Sequence, residues 1–261
     1  MSTALGVDLG GTHLRLALVV LGDAPARSFE RRIALPPETD AITVADLLAE
    51  AIRAISREAH LDDPLPVGIG VAGMLRGDTG VVTVAPNLGW REVPFRALLE
   101  ERLPKQPIRL FNDLDAIAYG EYAFGAGRSV EDVLCVFAGT GIGAGIVAHG
   151  QIVEGAGHVA VEIGHTKVVV GENARRCGCG ARGCLEAYVG GQNLEARVRA
   201  ELAGGRSSVA LTLAGTAAAV HAGHLDMAAC QGDAYANELW DEIAPLLGLA
   251  LANAVTLLDP G

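Results

Sequence analysis

The chain has little positive charge to spare. Its 261 residues carry 20 Lys and Arg against 31 Asp and Glu, a formal net charge of −11. No basic cluster breaks that balance, which argues against nucleic acid as a partner and against attraction to an anionic membrane. No uninterrupted apolar run reaches the about 18 residues of a spanning helix. The N-terminus lacks a signal pattern, since charged and Gly-rich residues begin by Asp8. Aromatic residues are scarce, at 4%, and inform nothing about function. Five cysteines are too few and too clustered for a disulfide framework. They point to a reducing compartment, and a cytoplasmic chain is expected. No Gly-Lys-Ser/Thr follows any glycine turn, so there is no Walker loop. Low-complexity segments and long linkers are also missing.

What is present is ample apolar material: half the residues are hydrophobic, enough for a large core in one or two domains. Apolar runs at 4–8 and 14–21 flank Gly10-Gly11-Thr12 and read as a hairpin with a glycine turn. Helical spacing covers 45–59, with Leu47, Leu48, Ala51, Ile52 and Ile55 on one side. Strands are expected at 66–72, 81–85 and 108–111, and helices at 95–103 and from Asn112-Asp113 to about 124. A loop, Pro86-Asn87-Leu88-Gly89-Trp90, follows the 81–85 strand. Residues 125–132 mark a boundary, so that 1–125 and 126–261 form two lobes. A second hairpin, 133–138 and 143–148 around Gly139-Thr140-Gly141, opens the second half as the first hairpin opens the first. From 185 to about 258 the chain is mostly helical. Strands alternating with helices argue for α/β layers.

The densest chemistry lies in the second half. Cys177, Cys179 and Cys184 fall within eight residues, with His165 twelve residues before the first. Three thiols and one imidazole are a full ligand set for tetrahedral zinc, and the interleaved glycines permit the tight backbone that brings sulfurs together. Three merely buried or disulfide-forming cysteines are the alternative, which leaves the nearby His165, Glu162 and Glu186 as coincidence. A zinc here fixes where those groups point. Asp8 and the turn Gly10-Gly11-Thr12 offer backbone N–H groups, a hydroxyl and a carboxylate to an anion and its metal. An ordinary Asp-Gly turn has the same composition. Gly139-Thr140-Gly141 repeats that chemistry, and two such turns suit a polyphosphate. Asp113 stands at a strand end, where a carboxylate can accept a hydroxyl proton during phosphoryl transfer. Asn112 and Asp113 are equally good helix N-caps, and both readings stay open. Asp115 reads as a first-turn acid favoured by the helix dipole. Asn87 either bonds a polar ligand or makes a local turn. His13 and His158 are expected to serve local contacts.

Taken together in order, Asp8-Leu-Gly-Gly-Thr12, Pro86-Asn-Leu-Gly-Trp90, Asn112-Asp113, Gly139-Thr-Gly-Ile-Gly143, Glu162-Ile-Gly-His165 and the cysteine knuckle resemble the ROK family of sugar kinases and sugar-responsive repressors. The resemblance implies a two-lobed actin-like (ribonuclease H-like) ATPase fold with a sugar in its cleft. It implies that Asp8, Gly10, Gly11, Thr12, Gly139, Thr140 and Gly141 hold ATP phosphates and Mg²⁺. It implies that Asp113 is the base and that Asn87, Asn112, Asp113, Glu162, His165 and Glu186 meet the sugar. His165, Cys177, Cys179 and Cys184 would carry the structural Zn²⁺. A glucokinase-like activity, phosphorylation of a hexose primary hydroxyl, is expected; a non-catalytic sugar-binding protein is the rival. Family members are commonly homodimers. The repressor branch carries an N-terminal helix-turn-helix; with the first turn starting at Gly10, none is expected here. One departure stands out: a segment like 253–260 leads, in the family, into a further strand, an adenosine loop and a closing helix. The second lobe is therefore expected to be incomplete and its hold on nucleotide weak.

Overall fold

The structure, a computed structural model, describes residues 2–22 and 25–261. Its first strands obey the period-2 rule. β1 (Ser2–Leu9) buries Leu5, Val7 and Leu9, and β2 (His13–Leu21) buries Leu14, Leu16 and Leu18. The two pair antiparallel, Leu9 opposite Leu14, around the first glycine turn. β3 (Ala26–Ala34) adds to the outer side of β2. α1 (Ala41–Glu58) starts where the Asp40 carboxylate accepts the Thr43 N–H at 2.9 Å, and it lays Val44, Leu48, Ile52 and Ile55 into the core. β4 (Val67–Val71) follows, then the short β5 (Met74–Leu75), β6 (Val82–Ala85) and β7 (Trp90–Val93), which form a small antiparallel sheet. α2 (Phe95–Arg102), β8 (Ile108–Asn112) and α3 (Asp113–Phe124) come next.

The five-stranded sheet runs β3-β2-β1-β4-β8. Its β1, β4 and β8 are parallel and end in step, with Leu9 beside Val71 and Val71 beside Asn112. Whatever follows those three residues is therefore delivered to one edge of the sheet. The carboxyl ends of parallel strands are where open α/β sheets place their ligands.

β9 (Val133–Ala138), β10 (Ile142–Ala148) and β11 (Gln151–Ile152) form a further sheet in the order β11-β10-β9. The rest is helical: α4 (Glu186–Val189), α5 (Gly191–Ala203), α6 (Val209–Ala214), α7 (Ala222–Cys230) and α8 (Ala234–Leu258). The chain groups into two compact units, 1–133 with 145–160 and 134–144 with 161–261. The first is built on the sheet and α1. The second has a helical core around Leu194, Val198, Leu225 and Leu239, and a smaller cluster joining Ile142, Ile163 and Leu185.

Three differences from the sequence reading have physical causes. β3 escapes a hydrophobic pattern because Arg27, Glu30, Arg31 and Arg32 fill it, as suits a sheet edge guarded by charge. β7 occupies part of what reads as a loop, since Gly89 closes the Pro86–Leu88 turn in the left-handed region (φ 69°) and lets the chain double back. α8 is long and apolar enough, by length and composition, to cross a membrane. Counting uninterrupted apolar residues passes over it because Asp241 and Glu242 break the run. Glu242 is ion-paired with Arg175 and Arg197, and Tyr235, Leu239 and Ile243 are buried.

Candidate functional site

In the first unit the strand ends assemble the polar groups. Asp8 faces Arg15 across the hairpin, and the two form an ion pair at 2.9 Å. The turn is closed by the Gly10 N–H to the His13 carbonyl at 3.0 Å. Thr12 Oγ1 lies 2.9 Å from His13 Nδ1, and His13 Nε2 lies 3.1 Å from an Arg32 nitrogen, so His13 is engaged locally. Gly11 abuts the Asn87 loop: a Cβ there would lie 2.6 Å from both Asn87 Cβ and the Asn87 carbonyl oxygen. The turn and the loop are thus in contact, which their separation in sequence hides.

The two readings of Asn112-Asp113 divide between the residues. Asn112 is the N-cap of α3: its Oδ1 accepts from the Leu114 N–H (2.9 Å) and the Asp115 N–H (3.2 Å), and its Nδ2 donates to the Gly73 carbonyl (3.1 Å). One amide hydrogen remains for a ligand. Asp113 is the first helical residue, and its Oδ1 accepts from the Leu114 N–H at 3.0 Å. Burial is the main cause that raises its pKa above the ordinary value; the negative Asp8 adds to it and the Leu114 N–H opposes. A carboxylate made more basic at a strand end is suited to receive a proton.

In the second unit the other glycine turn is clasped from three sides. The N-terminus of α5 donates to it, Gly191 N–H to the Gly139 carbonyl and Gln192 N–H to the Thr140 carbonyl, each at 2.9 Å. Ile142 donates its N–H to Glu186 Oε2 at 3.2 Å. Gly164 backs onto the Ile142 carbonyl, with room for no side chain: a Cβ would sit 2.1 Å from that oxygen. Gly164 and Gly191 are supports of this turn that sequence reading missed. The only signal was that each follows or sits in a motif already marked for another reason.

Glu162 occupies an inverse γ-turn, at φ −73° and ψ 60°, with the Ile163 N–H bonded to the Val161 carbonyl at 2.7 Å. That geometry exposes its side chain while Ile163 and Gly164 are buried. Val161 itself is held at φ 63°, a left-handed conformation that is an outlier for a β-branched residue. His158 pairs with Glu154 at 3.0 Å, a local role.

His165, Cys177, Cys179 and Cys184 offer four donor atoms all within 4.8 Å of one another. Cys177 Sγ lies 3.7 Å from His165 Nδ1, and Cys179 Sγ lies 3.7 Å from Cys184 Sγ. Zn–S bonds of about 2.3 Å at tetrahedral angles place sulfurs about 3.8 Å apart, so the cluster fits that ion. All three cysteines are free thiols. The knuckle is built as its glycines suggest. Cys177 donates its N–H to the Ala181 carbonyl at 2.8 Å, and Gly180 and Gly183 take φ of 89° and 77°. Burial pushes the Cys177 thiol up to about 11, so a nearby cation is needed to hold it as thiolate. Lys167, which sequence reading passed over, donates from Nζ to Cys184 Sγ at 2.8 Å. Glu186 opens α4 beside the knuckle, its Oε1 4.0 Å from Cys177 Sγ.

The first unit therefore carries Asp8, Gly10, Gly11, Thr12, Asn87, Asn112 and Asp113, and the second carries Gly139, Thr140, Gly141, Glu162, His165, Glu186 and the thiols. Comparison with known proteins is consistent along the chain. The ROK family model matches residues 4–261. A glucokinase of Streptomyces coelicolor is 35% identical over 263 aligned residues, covering 100% of this chain and 80% of the relative. A crystal structure of a ROK family glucokinase from Streptomyces griseus in complex with glucose and AMPPNP superposes with a TM-score of 0.77 at 35% identity, over 99% of this chain and 81% of that one. A putative xylose repressor of Caldicellulosiruptor is 31% identical over 98% of this chain but only 63% of its own length. A family match across nearly every residue, on a mixed α/β framework of the same kind, makes this chain a member of the ROK family.

Proposed function

We propose that the chain is an ATP-dependent hexose kinase that phosphorylates the sugar's primary hydroxyl. The observation that carries the reading is Asp113: a carboxylate of raised basicity at the edge where β1, β4 and β8 end, left free of the capping role by Asn112. In this reading Asp113 takes the hydroxyl proton as the sugar oxygen attacks the γ-phosphorus. The bond from that phosphorus to the bridging oxygen breaks in line, and ADP leaves. The Gly10 and Gly139 N–H groups close the two turns on the His13 and Gly141 carbonyls, and the N–H groups that follow them in each turn are assigned to phosphate oxygens. Magnesium, when bound with ATP, neutralises phosphate charge, and Asp8 is the residue we assign to its water shell. Asn87 and Asn112 in the first unit, and Glu162, His165 and Glu186 in the second, are assigned to sugar hydroxyls. Residues 1–125 are the N-terminal lobe and 126–261 the C-terminal lobe of this scheme.

His165, Cys177, Cys179 and Cys184 are assigned to one structural zinc. With Nδ1 turned to Cys177, the imidazole keeps Nε2 for a sugar oxygen. Five cysteines with no disulfide among the described residues suit a reducing compartment such as the cytoplasm. The relatives named glucokinase, and the neighbour carrying glucose and AMPPNP, support a kinase.

The second reading is a sugar-binding protein without turnover, favoured by the repressor relative that matches almost the whole chain. ADP release measured with glucose, mannose, fructose, allose and N-acetylated amino sugars separates the two. Sugar-dependent ADP release is expected with at least one of them. Tight sugar binding with no ADP release from any would establish the second reading.

A further inference from the structure

Each glycine turn contains two glycines, and the structure treats them differently. Gly10 and Gly139 have room for a side chain: a Cβ on Gly10 would make ordinary contact with the His13 carbonyl oxygen at 3.6 Å, and nothing lies within 4 Å of one on Gly139. Their own N–H groups close the turns, on the His13 and Gly141 carbonyls at 3.0 Å each. Gly11 and Gly141 are crowded. A Cβ on Gly11 would lie 2.6 Å from Asn87 Cβ and from its carbonyl oxygen, and a Cβ on Gly141 would lie 2.4 Å from Glu186 Oε2. Neither glycine is in the left-handed region, so backbone freedom does not account for them. Close approach accounts for Gly11, whose neighbour includes the Asn87 backbone; at Gly141 the neighbour is the movable carboxylate tip of Glu186, and both neighbours are residues assigned to sugar.

We propose that Gly11 and Gly141 are joints, and that through them each phosphate turn sets the position of a sugar-binding residue in its own unit. The inference rests on the kinase reading above and adds what that reading lacks: a physical link between the two ligands. In the second unit the link is doubled. The Ile142 N–H, one residue past Gly141, donates to the same Glu186 oxygen at 3.2 Å. Glu186 Oε1 lies 4.0 Å from Cys177 Sγ, so the carboxylate spans from the turn to the knuckle. A phosphate that tightens the turn fixes Glu186; a sugar that fixes Glu186 preorganises the turn. In the first unit Asn87 is held against Gly11 by a short loop closed at Gly89, and the same exchange applies. Binding of either ligand then lowers the ordering cost of the other, which is positive coupling.

The test is sugar affinity measured with no nucleotide present, using whichever hexose of the panel the wild-type protein binds. Gly141→Ala and Gly11→Ala are expected to weaken it by about tenfold or more, because a methyl group forced into these contacts must displace Glu186 or Asn87. Gly139→Ala, on the open side, is expected to leave it within about twofold while weakening AMPPNP. Zinc content and circular dichroism check that each variant is folded. Sugar affinity unchanged in a folded Gly141→Ala protein overturns the proposal. A protein that binds no hexose sinks the kinase reading but not this link, which hydrogen exchange of the Ile142 amide reads directly. Exchange should quicken in Glu186→Ala and return toward wild type in Glu186→Gln, which keeps an acceptor oxygen. Equal exchange in all three proteins overturns it too.

Discussion

Replacing Asp113 by Asn separates the chemistry from the fold. The cap of α3 does not depend on Asp113, because Asn112 Oδ1 takes both the Leu114 and the Asp115 N–H groups. Asn is close in size and keeps an oxygen for the Leu114 N–H. What it loses is the ability to hold a proton. Loss of a general base costs about 10²–10⁴-fold in turnover, or about 3–5 kcal/mol of transition-state stabilisation. Stability should move little, and its direction follows from linkage. Burial raises the folded-state pKa of Asp113 above its unfolded value. Between those two values the folded protein binds more protons than the unfolded one, so this group makes stability fall as pH rises through that window and stay lower above it. The Asp113→Asn change removes that penalty at neutral pH. Against it stands loss of a negative charge in the first turn of a helix, about 0.3–1 kcal/mol. The melting temperature at pH 7 should therefore lie no more than about 2–4 °C below wild type. The assays are coupled ADP release at saturating sugar, calorimetric sugar affinity, and thermal unfolding. In the wild-type protein, kcat/KM should fall on acidification with its midpoint above the about 3.9 of an ordinary aspartate. Turnover within tenfold of wild type would refute the assignment of the base. Turnover lost together with a collapse in melting temperature would make Asp113 a structural residue instead.

Three further outcomes are expected. Protein purified without added metal should carry about one zinc, and its removal should lower both melting temperature and sugar affinity, as elemental analysis and calorimetry would record. Lys167→Met should speed zinc transfer to a chromogenic chelator by about tenfold, because the N–H donor to Cys184 is gone, whereas Lys167→Arg should stay near wild type; equal rates for both would show that the lysine does not support the site. Val161→Gly should unfold at a temperature no lower than Val161→Ala, since Ala keeps the left-handed strain of about 1–2 kcal/mol that Gly relieves. The ordinary order, Ala above Gly by about 0.5–1 kcal/mol, would show that the strain is absent.

Local chemistry was legible in the sequence where the partners are neighbours in the chain. The knuckle is the clear case: Cys177, Cys179 and Cys184 must be near one another whatever the fold does, and only His165 needed a turn to reach them. The hairpins were legible for the same reason, because Gly10-Gly11-Thr12 and Gly139-Thr140-Gly141 each separate two apolar runs that can pair at once. β3 was not, since an edge strand is stabilised by a backbone ladder to β2 that its charged side chains do not announce. The assignment of Asn112 and Asp113 turned on one residue of register. Either can cap a helix, and only the backbone, extended at Asn112 and helical from Asp113, decides which carboxyl or amide is spent on the helix and which is left for a substrate.

The glycines mark the deeper limit. Gly10 and Gly11 are the same residue in the same turn, yet one has room for a side chain and the other is pressed against Asn87; Gly139 and Gly141 differ in the same way over Glu186. What distinguishes them is a contact with a chain segment far along the sequence, and a residue with no side chain carries no chemical trace of what it touches. Pattern therefore finds the turn, while the division of labour within it belongs to packing. The consequence reaches function: assigning both glycines of a turn to phosphate treats nucleotide and sugar as separate ligands. Assigning one of each pair to a sugar residue makes the turn the place where the two ligands meet.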